Sequence, residues 1–484
     1  MNRFLKYFIV AFCVFTNVIV NAQIVNRSKT REVVYSTRLS RFSTRDEAAM
    51  PQSSKSTFVK SLNGDWKLSL ANESNVSEAT VKIPGVWYEN FADHTQRLLF
   101  KDKSSLVQMY KNSPIGVIER QFEMTQAWLD RETFIEIDNP GAVAITLIVN
   151  GDEVGYVDDS KEFVKFDITG FVREGANTVQ IVMRRYSVGT FLSSERYVDQ
   201  KVAEIGDVRL VSAPRYRIED FELLARYDST GKNGLFELKI IVANGRNFAE
   251  TGIVYYDLMD EKGDIIRYNY RELTVDGLGR DTLVFEGRID KVKKWSSRTP
   301  STYRLMMRVK RGADFTEYIP FDFGFRTLAY QDGQVVLNGT PISIKTLDYN
   351  RNCVSNKELS QYISKVQKQG YNTLLLMTPQ SQEFYDVCTK KGMYVIDAVD
   401  ISPVIEDSIK NIANDPELLK FFEQRVKETY LRNRNNSCVI GWSLGNAKYN
   451  GYNYKKAYLY FKELDSTRPI IFRGAVNWNN DKLN

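Results

Sequence analysis

The hydrophobic period of this chain changes once along its length, and that change limits what it can fold into. Up to about residue 328 the apolar residues fall in short alternating or continuous runs, such as Phe134-Ile135-Glu136-Ile137, Ala144-Ile145-Thr146-Leu147-Ile148-Val149 and Leu235-Phe236-Glu237-Leu238-Lys239-Ile240-Ile241-Val242. A period of two sends successive side chains to opposite faces of a strand, so these runs predict β-sandwiches. Asn150-Gly151, between Ile148-Val149 and Glu153-Val154, supplies the two positive φ angles that a type I′ hairpin requires. After Leu337-Asn338-Gly339-Thr340-Pro341, apolar runs begin to alternate with amphipathic helices, the pattern of βα units around a parallel sheet.

In the second part, Ser355-Asn356-Lys357-Glu358 reads as a capping box, with Leu359, Tyr362, Ile363 and Val366 on one helix face and Gly370 closing the helix. Asp415-Pro416 starts another helix, whose apolar face is Leu419, Phe422, Val426 and Tyr430. Strands are predicted at Ile342 to Leu347, Thr373 to Met377, Met393 to Ile396, Cys438 to Leu444 and Ile470 to Arg473. A closed β/α barrel needs eight strands and about 250 residues, so five strands predict a chain that is cut short, rearranged or completed by something else. At 484 residues with 43% apolar side chains, the chain has material for several cores.

Several landmarks carry a family resemblance. The run Cys438-Val439-Ile440-Gly441-Trp442-Ser443-Leu444-Gly445-Asn446-Ala447 is similar to the fourth barrel strand of family 2 glycoside hydrolases, the β-galactosidase and β-glucuronidase group, where the motif reads roughly Trp-Ser-Leu-Gly-Asn-Glu. Leu62-Asn63-Gly64-Asp65-Trp66, Ile83-Pro84-Gly85-Val86-Trp87, Val149 to Gly155, Phe166-Asp167-Ile168-Thr169, Gly175-Ala176-Asn177 and Gly206 to Leu210 resemble, in order, the landmarks of that family's opening jelly roll. Gly324-Phe325-Arg326 resembles the signature with which the family leaves its second domain. The resemblance implies a multidomain β plus α/β protein. Its parts are a signal peptide at 1–22, a basic Ser/Thr-rich leader at 23–57 and a jelly-roll, sugar-binding-like domain at 58–213. An immunoglobulin-like sandwich follows at 214–328, then a partial, TIM-type (β/α) barrel at 329–484.

The same resemblance makes the chemistry conspicuous by its gaps. The family's acid/base Glu corresponds to Ala447, and alanine can neither hold nor deliver a proton, whereas retaining hydrolysis needs two carboxyl groups about 5–5.5 Å apart. After the first strand the family shows a Gly-Val-Asn-Arg-His type sequence; here Thr346-Leu347-Asp348-Tyr349-Asn350 stands instead. At the second strand Leu374 to Thr378 precede Pro379 without the expected Arg and His, and at the third Ala398 replaces an acid after Asp397. The nucleophile that the resemblance places on the seventh strand lies beyond Asn484. Losing these charges also removes the field that stabilises an oxocarbenium-like transition state.

Other chemistry finds little to build on. The only histidine, His94, falls in the predicted jelly roll. Asp348, Asp397 and Asp400 are the acids that could meet near strand ends as a carboxylate pair, with Asp397 at a family position of structural character. Binding fares better: Asn446 matches the residue that hydrogen-bonds a sugar 2-hydroxyl, and Tyr449, Tyr452, Tyr454 and Trp478 offer flat rings near it. Trp442 reads as core, and Asp348 completes the candidate set. An aromatic patch of this kind marks a ligand groove or a protein interface. No metal or cofactor is expected. Cys353, Cys388 and Cys438 have no metal-type spacing and read as small buried hydrophobes.

At the N-terminus, Arg3 and Lys6 precede an apolar run from Tyr7 to Val20, with small-residue cleavage chemistry at Val20-Asn21-Ala22. The run is about 14 residues, short of the roughly 20 that span a bilayer. Residues 23–60 hold eight Lys/Arg against three Asp/Glu, which reads as a solvated leader or a contact to an acidic glycan, and does not imply nucleic acid. The expectation is therefore an exported protein, in the periplasm, at the cell surface or secreted, and not membrane-spanning after cleavage. It would be catalytically inactive and bind a β-linked glycan or an envelope protein, with a homo- or hetero-oligomer covering the open barrel edge. The alternative is an active β-glycosidase hydrolysing O-glycosyl bonds, whose remaining barrel is missing from this chain. Intact mass of the protein isolated from its native envelope should place the mature N-terminus at Gln23; a mass that retains Arg3 and Lys6 would show the leader to be uncleaved.

Overall fold

The computed structural model describes residues 38–50, 56–70, 79–88, 113, 115–138, 141, 143–157, 159, 163–193, 203–350, 355–399, 401–402, 412–445 and 451–472. The expected signal segment, His94 and Cys353 lie outside them. The first body is a sandwich. One sheet runs in the order Ala79–Ile83, Gly64–Leu70, Ile115–Met124, Gly175–Arg184, Ala144–Val149, Asp152–Val157; the other runs Val59–Ser61, Val208–Ala213, Glu132–Asp138, Phe163–Asp167. Along Gly175–Arg184 buried and half-buried residues alternate, so Val179, Ile181 and Met183 enter a core shared with Trp66, Ile118, Ile135 and Leu147. Asn150 (φ 54°) and Gly151 (φ 91°) make the tight hairpin that pairs Val149 with Asp152.

The second body packs a three-stranded sheet (Tyr216–Tyr227, Gly234–Asn244, Arg280–Ile289) on a four-stranded one (Ile265–Val275, Glu250–Met259, Tyr303–Arg311, Asp314–Phe323) around its own core. The third is a five-stranded parallel sheet in sequential order, Thr346–Tyr349, Thr373–Leu376, Tyr394–Ala398, Val439–Ser443 and Ile470–Ile471. Helices Asn356–Lys368, Gln382–Lys391, Leu419–Asn433 and Tyr452–Leu464 lie between these strands in the chain. The second, third and fourth strands are buried at every position, as expected of a parallel sheet covered on both faces. Ser355 caps its helix by accepting from the Glu358 amide, and Gly370 follows that helix at φ 90°. Cys388 and Cys438 are free and buried, as small core residues. Among the described residues no helix is long and apolar enough to cross a membrane.

Two expectations are corrected. The first barrel strand starts at Thr346, not Ile342. Asn338 and Gly339 take positive φ and fold Thr340–Pro341 back onto Gln334–Leu337, and the Ile342 amide then bonds the Val335 carbonyl. The leader is also not simply solvated: Arg41 is buried in an ion pair with Glu317, Phe42 is 1% exposed, and Arg38 reaches Asp138 of the first sandwich at 2.9 Å. Charge density in sequence did not reveal that three of these residues dock on partners roughly 100 to 280 positions away.

The three bodies interlock through side chains of the barrel region. Arg425 on helix Leu419–Asn433 donates from Nε and Nη2 to both oxygens of Asp159 at 2.6 Å, and from Nη1 to Ser193 Oγ at 2.8 Å. Phe191 and Leu192, from the short helix Val188–Leu192 of the first sandwich, enter the barrel core. From the second sandwich, Trp295 does the same and donates to the Thr389 carbonyl at 3.0 Å. Breaking the Asp159–Arg425 pair leaves an uncompensated buried charge. Arg425→Ala should therefore destabilise the protein by about 3–5 kcal/mol, read as a lowered chemical-unfolding midpoint, while the apolar pair Asp159→Leu with Arg425→Met should recover most of it.

Candidate functional site

In a β/α sheet the loops after the strands' C-terminal ends gather on one face, and reacting or binding groups sit there. The fourth strand, Val439–Ser443, leads to that face. Its register is set by Trp442, fully buried, whose Nε1 donates to Asp465 Oδ2 at 2.8 Å. Arg468 donates to the same oxygen at 2.8 Å and to the Val439 carbonyl at 3.0 Å. Thr467 donates to Asp465 Oδ1 from its amide and its hydroxyl. Two residues past the strand lies Gly445, whose φ is +110° and where an added Cβ would lie 2.1 Å from the Ile401 carbonyl oxygen. Only glycine passes so close to another backbone in that conformation, so this position requires Gly445.

Asn446, Ala447, Tyr449, Trp478 and Asp400 lie outside the described residues. Asp348 is exposed on the first strand, paired with Leu375 of the second. Tyr452 begins the helix after the fourth strand, 45% exposed, with its amide bonded to Asn414 Oδ1 at 3.1 Å. Asp348 thus belongs to the first strand of the sheet, and Tyr452 to the helix that follows the fourth.

Tyr454 is a correction. It is fully buried, stacked on Phe472 at 4.4 Å between centroids and edge-on to Phe422 at 5.1 Å, so no ring face is left for a sugar. The signal was available: Tyr454, Ala457 and Phe461 recur at helical spacing and all three face the core. Asp397 is likewise committed. It is fully buried, its Oδ1 accepts from the Tyr385 hydroxyl at 2.8 Å, and its Oδ2 accepts from Asn433 Nδ2. With both oxygens held by neutral donors inside the core, Asp397 cannot join Asp348 as a reacting pair. Sequence alone did not mark Tyr385 and Asn433 as its partners, because they come from two different helices.

Three profiles of one family match successive parts of the chain: "Glycosyl hydrolases family 2, sugar binding domain" over residues 59–214, "Glycosyl hydrolases family 2" over 216–326, and "Glycosyl hydrolases family 2, TIM barrel domain" over 328–483. A β-galactosidase of Klebsiella pneumoniae (strain 342) is 26% identical over 461 residues, covering 89% of this chain and 44% of the relative. A β-galactosidase of Priestia megaterium is 25% identical over 498 residues, covering 94% and 47%. The chain thus spans about half the length of the curated relatives it matches. Among solved structures, a Bacteroides uniformis β-glucuronidase superposes with a TM-score of 0.69 at 16% identity, over 86% of this chain and 52% of that one. A β-glycosidase from Bacteroides vulgatus gives 0.68 at 18%, over 88% and 55%. At such identities the structural likeness establishes the fold alone.

The brace beneath the fourth strand is electrostatic as well as geometric. Burial works against ionisation of Asp465, but the Arg468 guanidinium and the hydrogen bonds from Trp442, Arg468 and Thr467 outweigh it and hold the carboxyl down to about 2. A carboxyl depressed in the fold adds stability above its unfolded value, and that stability is lost as pH falls from about 4 towards 2. Asp465→Asn should therefore cost on the order of 2 kcal/mol near neutral pH. It should also flatten the acid limb of a thermal-midpoint profile between pH 5 and pH 2; an unchanged limb would show that the brace is not ionic.

Proposed function

Because the chain belongs to family 2 of the glycosyl hydrolases, we propose that it is an exported, non-hydrolytic member that binds a β-linked glycan on the barrel face beyond Gly445. The observation that carries this reading is Ala447, which stands where the motif that begins at Trp442 ends in the acid/base Glu elsewhere in the family. Cleavage of an unactivated glycoside needs a proton delivered to the leaving oxygen, worth about 10²–10⁴ in rate, and a methyl group delivers none. The substitution stays in force in any longer protein that contains this chain.

The neighbouring strand ends support the same reading. Leu376, Met377 and Ala398 bring no charge to the second and third strand ends, and Asp397 spends both oxygens on Tyr385 and Asn433. What remains fits recognition: Asn446 to hold a sugar hydroxyl, Tyr449, Tyr452 and Trp478 to lie against its C–H faces, and Asp348 as an acceptor. An exported glycan-binding subunit is also consistent with the apolar run Tyr7 to Val20 behind Arg3 and Lys6.

The test pairs turnover with binding on the full chain. An unactivated β-galactoside and β-glucuronide should not be hydrolysed above the uncatalysed rate. A β-linked oligosaccharide should bind saturably, with affinity reduced about tenfold in Asn446→Ala, the loss of one hydrogen bond to a hydroxyl. Turnover by the unmodified chain would overturn the reading. Absence of any glycan binding beside a stoichiometric protein companion would replace it with a scaffold role.

A further inference from the structure

The first and second sandwiches enclose a cleft of about 670 Å³, away from the barrel face, within the range that holds small-molecule ligands. Its floor is charged. Arg217, 5% exposed, is paired with Glu132 from one sandwich and with Glu219, 2.7 Å away, from its own strand. Its Nε is buried without a hydrogen-bond partner. Lys165 lies on the same wall with its ammonium 4.1 Å from the centroid of the Phe134 ring, and among the described residues it makes no hydrogen bond or ion pair. Arg280 stands at the mouth, 54% exposed and a loose 3.9 Å from Glu219. Glu219 and Glu136 attract Lys165 from a distance, but among the described residues no acceptor bonds its ammonium directly, and an anionic ligand group would supply that partner.

The volume exceeds what an inorganic anion needs. The wall also carries acceptors beside the cations: the carboxylates of Glu132, Asp167 and Glu219 border the space. A ligand that satisfies both sets carries one negative group and several hydroxyl donors. We infer that this cleft is a second saccharide site, selective for an acidic sugar unit whose carboxylate meets Lys165 and Arg280 and whose hydroxyls face the acidic floor. This goes beyond the barrel-face reading and does not rest on it.

Gly170 gives a clean test, because it lines the cleft, has an ordinary backbone conformation and has open space where a Cβ would point. Gly170→Tyr should fill the cleft without disturbing either core. The experiment is calorimetric titration of D-glucuronate and of D-glucose into the full chain in the Asn446→Ala background, so that remaining binding does not depend on the barrel face. Glucuronate should bind at one site per chain, more tightly than glucose by about tenfold or more, weakening with salt. Lys165→Met should abolish the preference, and Gly170→Tyr should abolish binding with an unchanged melting temperature. Equal affinity for the two sugars, or glucuronate binding that survives Gly170→Tyr, would overturn the inference.

Discussion

The arrangement of the whole molecule depends on one buried charge pair. Arg425 projects from a barrel helix, yet its guanidinium bonds the first sandwich at Asp159, Ser193 and the Gly189 carbonyl. Both members are 3% exposed. Such a pair adds little stability over a well-packed apolar contact, because desolvation offsets most of the attraction. Its geometric demand is strict, however: only one placement of the helix satisfies a bidentate fork. The apolar contacts of Phe191, Leu192 and Trp295 drive docking of the sandwiches onto the parallel sheet, and Arg425 selects the register in which they do so. The second sandwich adds its own polar stitches, where Asn435 bonds the Leu223 amide and the Phe221 carbonyl, and Ser437 bonds the Gly324 amide.

This interlocking explains which parts of the fold were legible in the sequence. Features decided within a few residues read correctly. The Asn150-Gly151 hairpin, the Ser355 cap and the helix begun by Asp415-Pro416 needed only local chemistry. Trp442 as core followed from the uninterrupted apolar run around it. The errors fall where a distant partner decides. Nothing near Arg41 in sequence announces Glu317, and nothing near Arg38 announces Asp138, so an Arg-rich leader looked solvated. Tyr454 failed for a different reason: three tyrosines within six residues drew attention to chemistry, while the helical spacing of Tyr454, Ala457 and Phe461 gave the better period.

At the candidate site the sequence identified the strand and its end but not the hydrogen-bond networks beneath. Trp442, Asp465, Thr467 and Arg468 form one closed set, and Asp397, Tyr385 and Asn433 form another. Each set satisfies the polar atoms it buries using residues from within the sheet and its helices. Asp397 shows the consequence most directly. A carboxylate on a barrel strand invites a catalytic role, but one that accepts from a tyrosine hydroxyl and an amide in a dry core serves to fix two helices against the sheet.

The separation between scaffold and chemistry is what allows a barrel of this kind to change its function without changing its shape. The braces that fix the fourth strand act at Trp442 and at residues 465 to 468, and Gly445 then passes the chain out past Ile401 through backbone geometry alone. Among the described residues, these restraints are made by Trp442 itself and by Asp465, Thr467 and Arg468. In general, exchanging a catalytic carboxylate for alanine costs a fold little, since such groups are often strained or poorly solvated and their removal relieves the native state. On the reading proposed above, Ala447 is a change in what the face can do to a bound glycan, while the braces at Trp442 and Asp465 keep the fourth strand in place.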